Sequence, residues 1–481
     1  MLCSGGAGEP QVGELVRRLG CELPGILVLE LRGACERHGA IAEALSELEV
    51  QRVVLACERT SVRRGELLAA LRDAGVGVSG SYVVDLHPAK DADGGVVVAQ
   101  SAVLVRAAVA RVAAADPEEP VRERTSLAAR GISRRSLLRG FGLARRPVAS
   151  WRPGRCEGAV ACTACLLSCP YGALSTVAGR VVVDEDSCTG CGACVRTCRG
   201  GGLCLAGASL QSLQAATEVL VASLARGTPA SGIAITCERS VAGPPVGGQW
   251  LALGVPSLEM VSAGWLLQLV AAGTGVRLVA CDEDGCRRRA GDLERFADDV
   301  LGKLGLAGQA PRPSAHSRIE LREPEATTQA LSALGAFEPG RADWLATGPA
   351  CPLGSLEVAA GCSFCEVCVV ACPTGALVAE RDISGTPRLS LDPRRCCACG
   401  ACVEVCPEKV VSLQRAAGGV LVTEGTRLLA VGTEPRRACE SCGAALLARL
   451  PAPALARAGG SHPHLAPEAR AICPDCRLQK R

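Results

Sequence analysis

The chain has 481 residues with 30 cysteines, 48% hydrophobic residues and only 2% aromatics. A chain this long can bury several cores without covalent staples, which excludes a small disulfide-held secreted scaffold and gives a prior of about three domains. With 52 Lys plus Arg against 49 Asp plus Glu, the net charge of +3 is too near balance for a nucleic-acid or membrane-surface protein as a whole.

Met1 to Gly20 has no apolar run of signal-peptide length, and the longest apolar stretch, about Val261 to Gly273, falls short of the ~20 residues that span a bilayer. The expectation is a protein of the reducing cytoplasm, with no membrane insertion and no nucleic-acid partner. Within residues 1–120, apolar runs at Ile26 to Leu31, Val53 to Ala56 and Tyr82 to Leu86 alternate with helical patterns at Ala40 to Leu48, Val62 to Ala74 and Ala102 to Ala113. That alternation predicts a small parallel α/β domain. Cys35 and Cys57 then fall just beyond the carboxyl ends of two strands, where open α/β sheets place ligands. Gly75, Gly77 and Gly80 spell G-x-G-x-x-G, but they follow a helix and precede a strand, the reverse of the dinucleotide-binding order.

Residues 121–150 read as an arginine-rich linker. Between Val121 and Arg155 there are ten arginines and a single acid, Glu123. Its S-R-R-S-L-L-R-G lies too deep in the chain, and lacks the following apolar run, for an export signal. A solvated strip or a docking strip for an acidic redox partner are the two readings.

Residues 151–207 hold eight regularly spaced cysteines. Cys188, Cys191, Cys194 and Cys198 keep C-x2-C-x2-C-x3-C, with Arg199 where proline is usual. The preceding run, Cys162, Cys165 and Cys169, has Ala159 in the place of its first ligand, and the nearest upstream thiol is Cys156. In such runs three close thiolates hold one cubane and the fourth reaches the partner cluster. This crossing rule assigns Cys156, Cys162, Cys165 and Cys198 to a first [4Fe-4S] cluster, with a three-iron cluster lacking Cys156 as the alternative. Cys188, Cys191, Cys194 and Cys169 go to a second.

Residues 208–307 repeat the α/β alternation. Strands run at Ile233 to Thr236, Trp250 to Leu253 and Val276 to Ala280, and helices through Trp265 to Ala272 and Ala290 to Leu304. Cys237 and Cys281 cap strands here. A-C-E-R-T-S-V-R-R-G-E-L at Ala56 echoes A-C-D-E-D-G-C-R-R-R-A-G-D-L at Ala280, so the two α/β segments read as diverged copies of one unit. Residues 308–349 form a second, Pro- and Ala-rich linker.

Residues 350–415 carry the cleaner copy of the cysteine module. C-S-F-C-E-V-C-V-V-A-C-P from Cys362 and C-C-A-C-G-A-C-V-E-V-C-P from Cys396 both satisfy C-x2-C-x2-C-x3-C-P. The crossing rule assigns Cys362, Cys365, Cys368 and Cys406 to a third [4Fe-4S] cluster and Cys396, Cys399, Cys402 and Cys372 to a fourth. Two zinc sites would want separated pairs instead of two runs of four. C-P-Y-G-A-L at Cys169 and C-P-T-G-A-L at Cys372 mark the two modules as internal duplicates. Residues 416–481 end the chain with two C-x2-C knuckles, Cys439 and Cys442, then Cys473 and Cys476. Tetrahedral zinc in a zinc-ribbon-like segment is the first expectation there, and iron the alternative.

Cys156 to Ala206 and Cys362 to Leu413 resemble bacterial 2x[4Fe-4S] ferredoxins. V-V-L-A-C-E-R-T, and the run into A-V-L-V-R-A-A-V-A-R, are similar to part of the A subunit of heterodisulfide reductases, although no flavin motif accompanies them. V-P-S-L-E-M, W-L-L-Q-L-V-A-A-G and V-A-C-D-E-D-G-C-R resemble the small iron-sulfur delta subunit that couples a [NiFe] hydrogenase to that reductase. That resemblance implies a [2Fe-2S] cluster, for which Cys237, Cys281 and Cys286 are the matching positions.

The expected protein is a multidomain α/β plus α+β chain with two small parallel α/β domains, two ferredoxin-like modules and the zinc-ribbon-like end. Its expected function is polyferredoxin-like electron relay through about four [4Fe-4S] clusters. The resemblances imply a flavoprotein, hydrogenase, formate dehydrogenase or heterodisulfide-reductase-like subunit as partner. The competing class is a stand-alone iron-sulfur oxidoreductase with substrate chemistry at an atypical cluster. A redox-sensing regulator is disfavoured, because it needs a DNA-binding element that the sequence lacks.

Overall fold

The computed structural model describes residues 1–116 apart from 5–8, 35, 37–38, 47, 49, 58–59 and 87–92. It further describes 123–127, 143–156, 162, 164–239 apart from 199, 250–306, 319–334 apart from 324, 353–414 apart from 384, 393–394 and 397, then 427–431 and 442.

The first unit is a four-stranded parallel sheet. In chain order it comprises β1 (Leu2–Ser4), α1 (Glu9–Glu22), β2 (Glu30–Arg32), α2 (Gly39–Ser46), β3 (Val53–Cys57), α3 (Thr60–Asp73), β4 (Ser81–Asp85) and α4 (Gly94–Ala113). The strand order is β2-β1-β3-β4, with every pair parallel. One face of the sheet buries Ile41, Leu45, Leu67 and Leu71 of α2 and α3, and the other buries Val12, Leu15, Val98 and Ala102 of α1 and α4. The sequence pattern does not reveal β1 and α1. A three-residue strand is too short to show periodicity, and its burial comes from neighbours on both sides. By length and composition α4 could cross a membrane, but here Val97, Val98, Ala102, Val103 and Val105 are buried in the protein.

The segment expected to be linker at 121–150 instead contains an antiparallel pair, β5 (Glu123–Leu127) with β6 (Leu143–Pro147). The first ferredoxin module follows: β7 (Ser150–Trp151), α5 (Ala164–Ser168), β8 (Leu174–Val177), β9 (Arg180–Val183), α6 (Ala193–Thr197) and β10 (Leu203–Cys204). The ends of the module pair as β7 with β10, and β8 pairs with β9.

The second α/β unit comprises α7 (Leu210–Ala225), β11 (Gly232–Cys237), β12 (Trp250–Val255), α8 (Ala263–Ala271), β13 (Gly275–Val279) and α9 (Asp284–Lys303). Its strand order, β12-β11-β13, is all parallel. That order matches β2-β1-β3 of the first unit, and it aligns Cys57 at the end of β3 with Cys281 just after β13. The first ferredoxin module and this unit share one core, in which Leu174, Val195 and Leu205 pack with Ile233, Leu251 and Trp265. The second expected linker, 308–349, contains α10 (Glu325–Ala333), which lies on α8. The approach is so close that a Cβ on Gly264 would fall onto the Ala326–Thr327 backbone.

The second ferredoxin module repeats the first: β14 (Ser355–Val358), α11 (Val367–Val370), β15 (Leu377–Arg381), β16 (Pro387–Leu391), α12 (Ala401–Val405) and β17 (Val411–Gln414). Here β14 pairs with β17 and β15 with β16. The segment expected to belong to the zinc-ribbon-like end contributes β18 (Arg427–Val431), which pairs with β16 and extends this module. Strand β18 is a continuous apolar run without alternation, so the sequence pattern alone could not place it.

Candidate iron-sulfur centres

Short helices in each module present the cysteines, and the loops ahead of those helices curl by left-handed residues at fixed places. In Cys362 to Cys368, Phe364 (φ 52°) precedes the middle cysteine and Glu366 (φ 63°) follows it. Ala398 (φ 51°) and Gly400 (φ 81°) flank Cys399, and Gly190 (φ 65°) and Gly192 (φ 80°) flank Cys191. Positive φ is strained for Phe, Glu and Ala, so three loops with the same two-residue device mark a required geometry. Successive turned peptides aim N-H groups into the loop's concave side, which suits an anionic sulfur-rich group.

The structure draws the cysteines into four quartets. Cys165 is pushed up to about 12 by burial and then by Cys198, Cys162 and Cys156 around it. Cys194 is pushed up by burial and by Cys191, Cys188 and Cys169. Cys368 rises to about 11 by burial and by Cys365, Cys362 and Cys406. Cys402 rises to about 12 by burial and by Cys399 and Cys372, with Cys396 beside the same group. In each quartet the neighbouring sulfurs oppose ionisation of the named thiol, and a cation among them would relieve that repulsion. Open pockets lie among these sulfurs: one is lined by Cys362, Cys365, Cys368 and Cys406, and another by Cys169, Cys188, Cys191 and Cys194. Backbone N-H groups donate to three of the sulfurs, Ala173 to Cys169 at 3.4 Å, Gly202 to Cys198 at 3.1 Å and Ala376 to Cys372 at 3.3 Å.

Cys156 reaches its quartet through β7 and β10. That pair is extended by a bond from Arg152 N-H to the Gly202 carbonyl, 2.8 Å, and a turn at Pro153–Arg155 then delivers Cys156 against Gly202. The importance of Gly202 is not visible in the sequence, where Gly200, Gly201 and Gly202 read alike.

A separate group gathers at the second α/β unit. Cys237 ends β11, Cys281 follows β13 and Cys286 lies in the first turn of α9; all three are buried, and their sulfurs lie within 4.8 Å of one another. Cys286 is held low because Cys237 and Cys281 donate to it, while the Cys237 thiol is raised. This group borders the second quartet. Arg239 bonds Glu283 at 2.7 Å and the Thr189 carbonyl at 2.5 Å, Met260 packs on Gly192, and Glu259 lies beside Cys191 and Tyr171.

Other expected positions fall elsewhere. Cys57 is buried in the first unit's core with Leu55 and Val83. Cys35, Cys439, Cys473 and Cys476 lie outside the described residues, and Cys442 is exposed. The [2Fe-2S] expectation fits the three clustered thiols poorly. Such a cluster takes four ligands, two on each iron, and sulfurs on opposite irons are separated by the length of its core, whereas no pair here is wider than 4.8 Å.

Two family models match the chain: a 4Fe-4S dicluster domain over residues 361–410 and a 4Fe-4S binding domain over residues 180–203. Among curated proteins, the chain is 39% identical over 75 residues to the polyferredoxin protein MvhB of Methanothermobacter marburgensis, covering 13% of this chain and 18% of that protein. It is 38% identical over 69 residues to the B subunit of the Na(+)-translocating ferredoxin:NAD(+) oxidoreductase complex of Acetobacterium woodii, covering 14% and 20%. It is 37% identical over 54 residues to the B subunit of the ion-translocating oxidoreductase complex of Methanosarcina acetivorans, covering 11% and 19%. The likeness thus spans about a fifth of each relative's length. The chain carries ferredoxin-type iron-sulfur modules and binds [4Fe-4S] clusters.

Proposed function

We propose that the protein is a polyferredoxin-like electron-transfer subunit of a cytoplasmic oxidoreductase complex, with four [4Fe-4S] clusters on the four quartets. The observation that carries this reading is the way the quartets adjoin in pairs. Cys194 of the second lies in the field of Cys165 of the first, and Cys402 of the fourth in that of Cys368 of the third. When bound, each cubane supplies one reversible electron step. The chain's part is to ligate through thiolates, to donate N-H bonds to Cys169, Cys198 and Cys372, and to exclude water with the shared core.

A half-buried cation, Arg196, tunes the second quartet. Arg196 bonds the Val261 carbonyl at 3.3 Å and Arg289 bonds it at 2.8 Å, and Arg196 lies in the field of Cys191 and Cys194. A flavoprotein, hydrogenase, formate dehydrogenase or heterodisulfide-reductase-like subunit would deliver or accept the electrons, and the names of the relatives, a polyferredoxin and two oxidoreductase-complex subunits, support a subunit role.

Anaerobic purification followed by iron and sulfide analysis tests the reading. About 16 irons per chain are expected, four per cubane, with EPR signals of reduced cubanes. A chain that takes up no iron and shows no reducible cluster would remove the proposal. Affinity capture from the native cell should co-purify a flavin or hydrogenase-type subunit.

A further inference from the structure

We propose that Cys237, Cys281 and Cys286 hold a single tetrahedral zinc ion, with its fourth position taken by an exchangeable ligand, instead of an iron-sulfur cluster. The spacing comes first. A zinc-thiolate bond of about 2.3 Å places the corners of a tetrahedron about 3.8 Å apart, and three sulfurs mutually within 4.8 Å close onto one ion with small rotamer adjustments. Among the described residues no other three potential metal-ligating side chains come so close. The ferredoxin cysteines are set wider, as thiolates on different irons of one cubane must be.

Position in the fold points the same way. The strand order of the second α/β unit reverses at β11, with β12 on one side and β13 on the other. The carboxyl ends of β11 and β13 are therefore the switch point at which open α/β sheets bind ligands. Cys237 and Cys281 stand at those two ends, and the 20-residue helix α9 brings Cys286 to them from its first turn.

The surroundings are built for anionic sulfur. Backbone N-H groups of Arg239, Glu283 and Leu258 are directed at Cys237, Cys281 and Cys286 respectively. The Arg239 guanidinium lies in the field of Cys237 and is anchored by Glu283, which balances part of the charge of three thiolates on a divalent ion. The chemistry of the donors selects the metal, since three soft thiolates in tetrahedral array suit zinc. Among the described residues no fourth cysteine, histidine or carboxylate joins the three, and the sequence from 240 to 249 contains none. The fourth corner is accordingly left to a small exogenous ligand, the pattern of zinc sites that keep one position open.

The test uses the full chain carrying Cys439→Ala and Cys442→Ala, so that the C-terminal knuckles hold no metal. About one zinc per chain is expected. Zinc-edge X-ray absorption, to which the iron clusters do not contribute, should give three sulfurs at about 2.3 Å and one oxygen or nitrogen. Adding Cys286→Ser should remove the zinc while leaving iron and sulfide unchanged. Cobalt substituted for zinc should show thiolate charge-transfer and tetrahedral ligand-field bands that the same replacement abolishes.

Absence of zinc from the first chain, a four-sulfur shell, or two further irons with labile sulfide that leave with Cys286 would each overturn the proposal. The relay reading is judged by iron and this one by zinc, so either can fail alone.

Discussion

Gly202 lies against Cys156 so closely that a Cβ on the glycine would sit 3.0 Å from the cysteine's Cα and Cβ. The contact explains how an enlarged first loop still brings a thiol to Cys162, Cys165 and Cys198. Replacing Gly202 with valine should push Cys156 out of reach. On the four-cluster proposal, the expected outcome is conversion of one cubane to a three-iron form, visible by EPR in the oxidised protein, with the iron of the other quartets kept. Cys156→Ser should reproduce it. An unchanged iron content and spectrum in both variants would show that Cys156 is no ligand.

Left-handed loop positions predict effects of opposite sign. Gly192 has φ 80°, and a Cβ added there would fall 2.9 Å from the Met260 side chain, so Gly192→Ala adds a left-handed penalty of roughly 1–2 kcal/mol and a clash. Glu366 already bears that penalty at φ 63°, and Glu366→Gly should stabilise by a fraction of it, up to about 1 kcal/mol. Thermal unfolding of the cluster-loaded protein should separate the two in that order.

Glu238 joins the two α/β units. It receives Arg64 at 3.0 Å, Tyr82 at 3.1 Å and Arg111 at 3.4 Å, and Arg111 lies over the Tyr82 ring at 4.1 Å. Removing one partner from such a partly buried network costs about 1–3 kcal/mol, and Glu238→Gln should lower the unfolding midpoint accordingly. Burial by itself would raise the Glu238 carboxyl, but Arg64 and Arg111 outweigh it and hold the group below the usual carboxylate range. Its folded pKa is depressed, so its contribution is present above the ordinary carboxylate pKa and is lost as pH falls toward the depressed value. Glu238→Gln should therefore flatten the acid limb of the stability curve. An unaltered limb would place the acid sensitivity in other groups.

Arg196 is half-buried beside the second quartet, and its positive charge favours the reduced, more negative form of a cluster there. Arg196→Gln should make one midpoint potential more negative by roughly 50 mV, about a tenfold change in a one-electron equilibrium. An EPR-monitored redox titration reads this directly. A uniform shift of every cluster titrated, or none, would contradict this placing of Arg196.

The ferredoxin modules were legible because ligation dictates local spacing, and a C-x2-C-x2-C-x3-C run has few other uses. Both α/β segments were legible from alternating apolar runs, though β1, α1 and β18 were not. The arginine-rich and Pro-rich stretches read as linkers by composition, yet β5, β6 and α10 lie within them. Their places come from contacts with distant residues, such as α10 on Gly264, which no window of sequence contains.

By itself the sequence marked the cysteine runs, in which two residues separate Cys188, Cys191 and Cys194, or Cys362, Cys365 and Cys368, and the short loop between them sets their geometry. Only the tertiary structure decided what the separated cysteines do. Cys156 depends on a strand pair that brings it to Gly202, and Cys237 lies 44 residues before Cys281 along the chain. It meets Cys281 and Cys286 because β11 and β13 are parallel neighbours whose carboxyl ends open on the same side. Sequence spacing carries no distance across a parallel crossover; the hydrogen-bonded register of the sheet does.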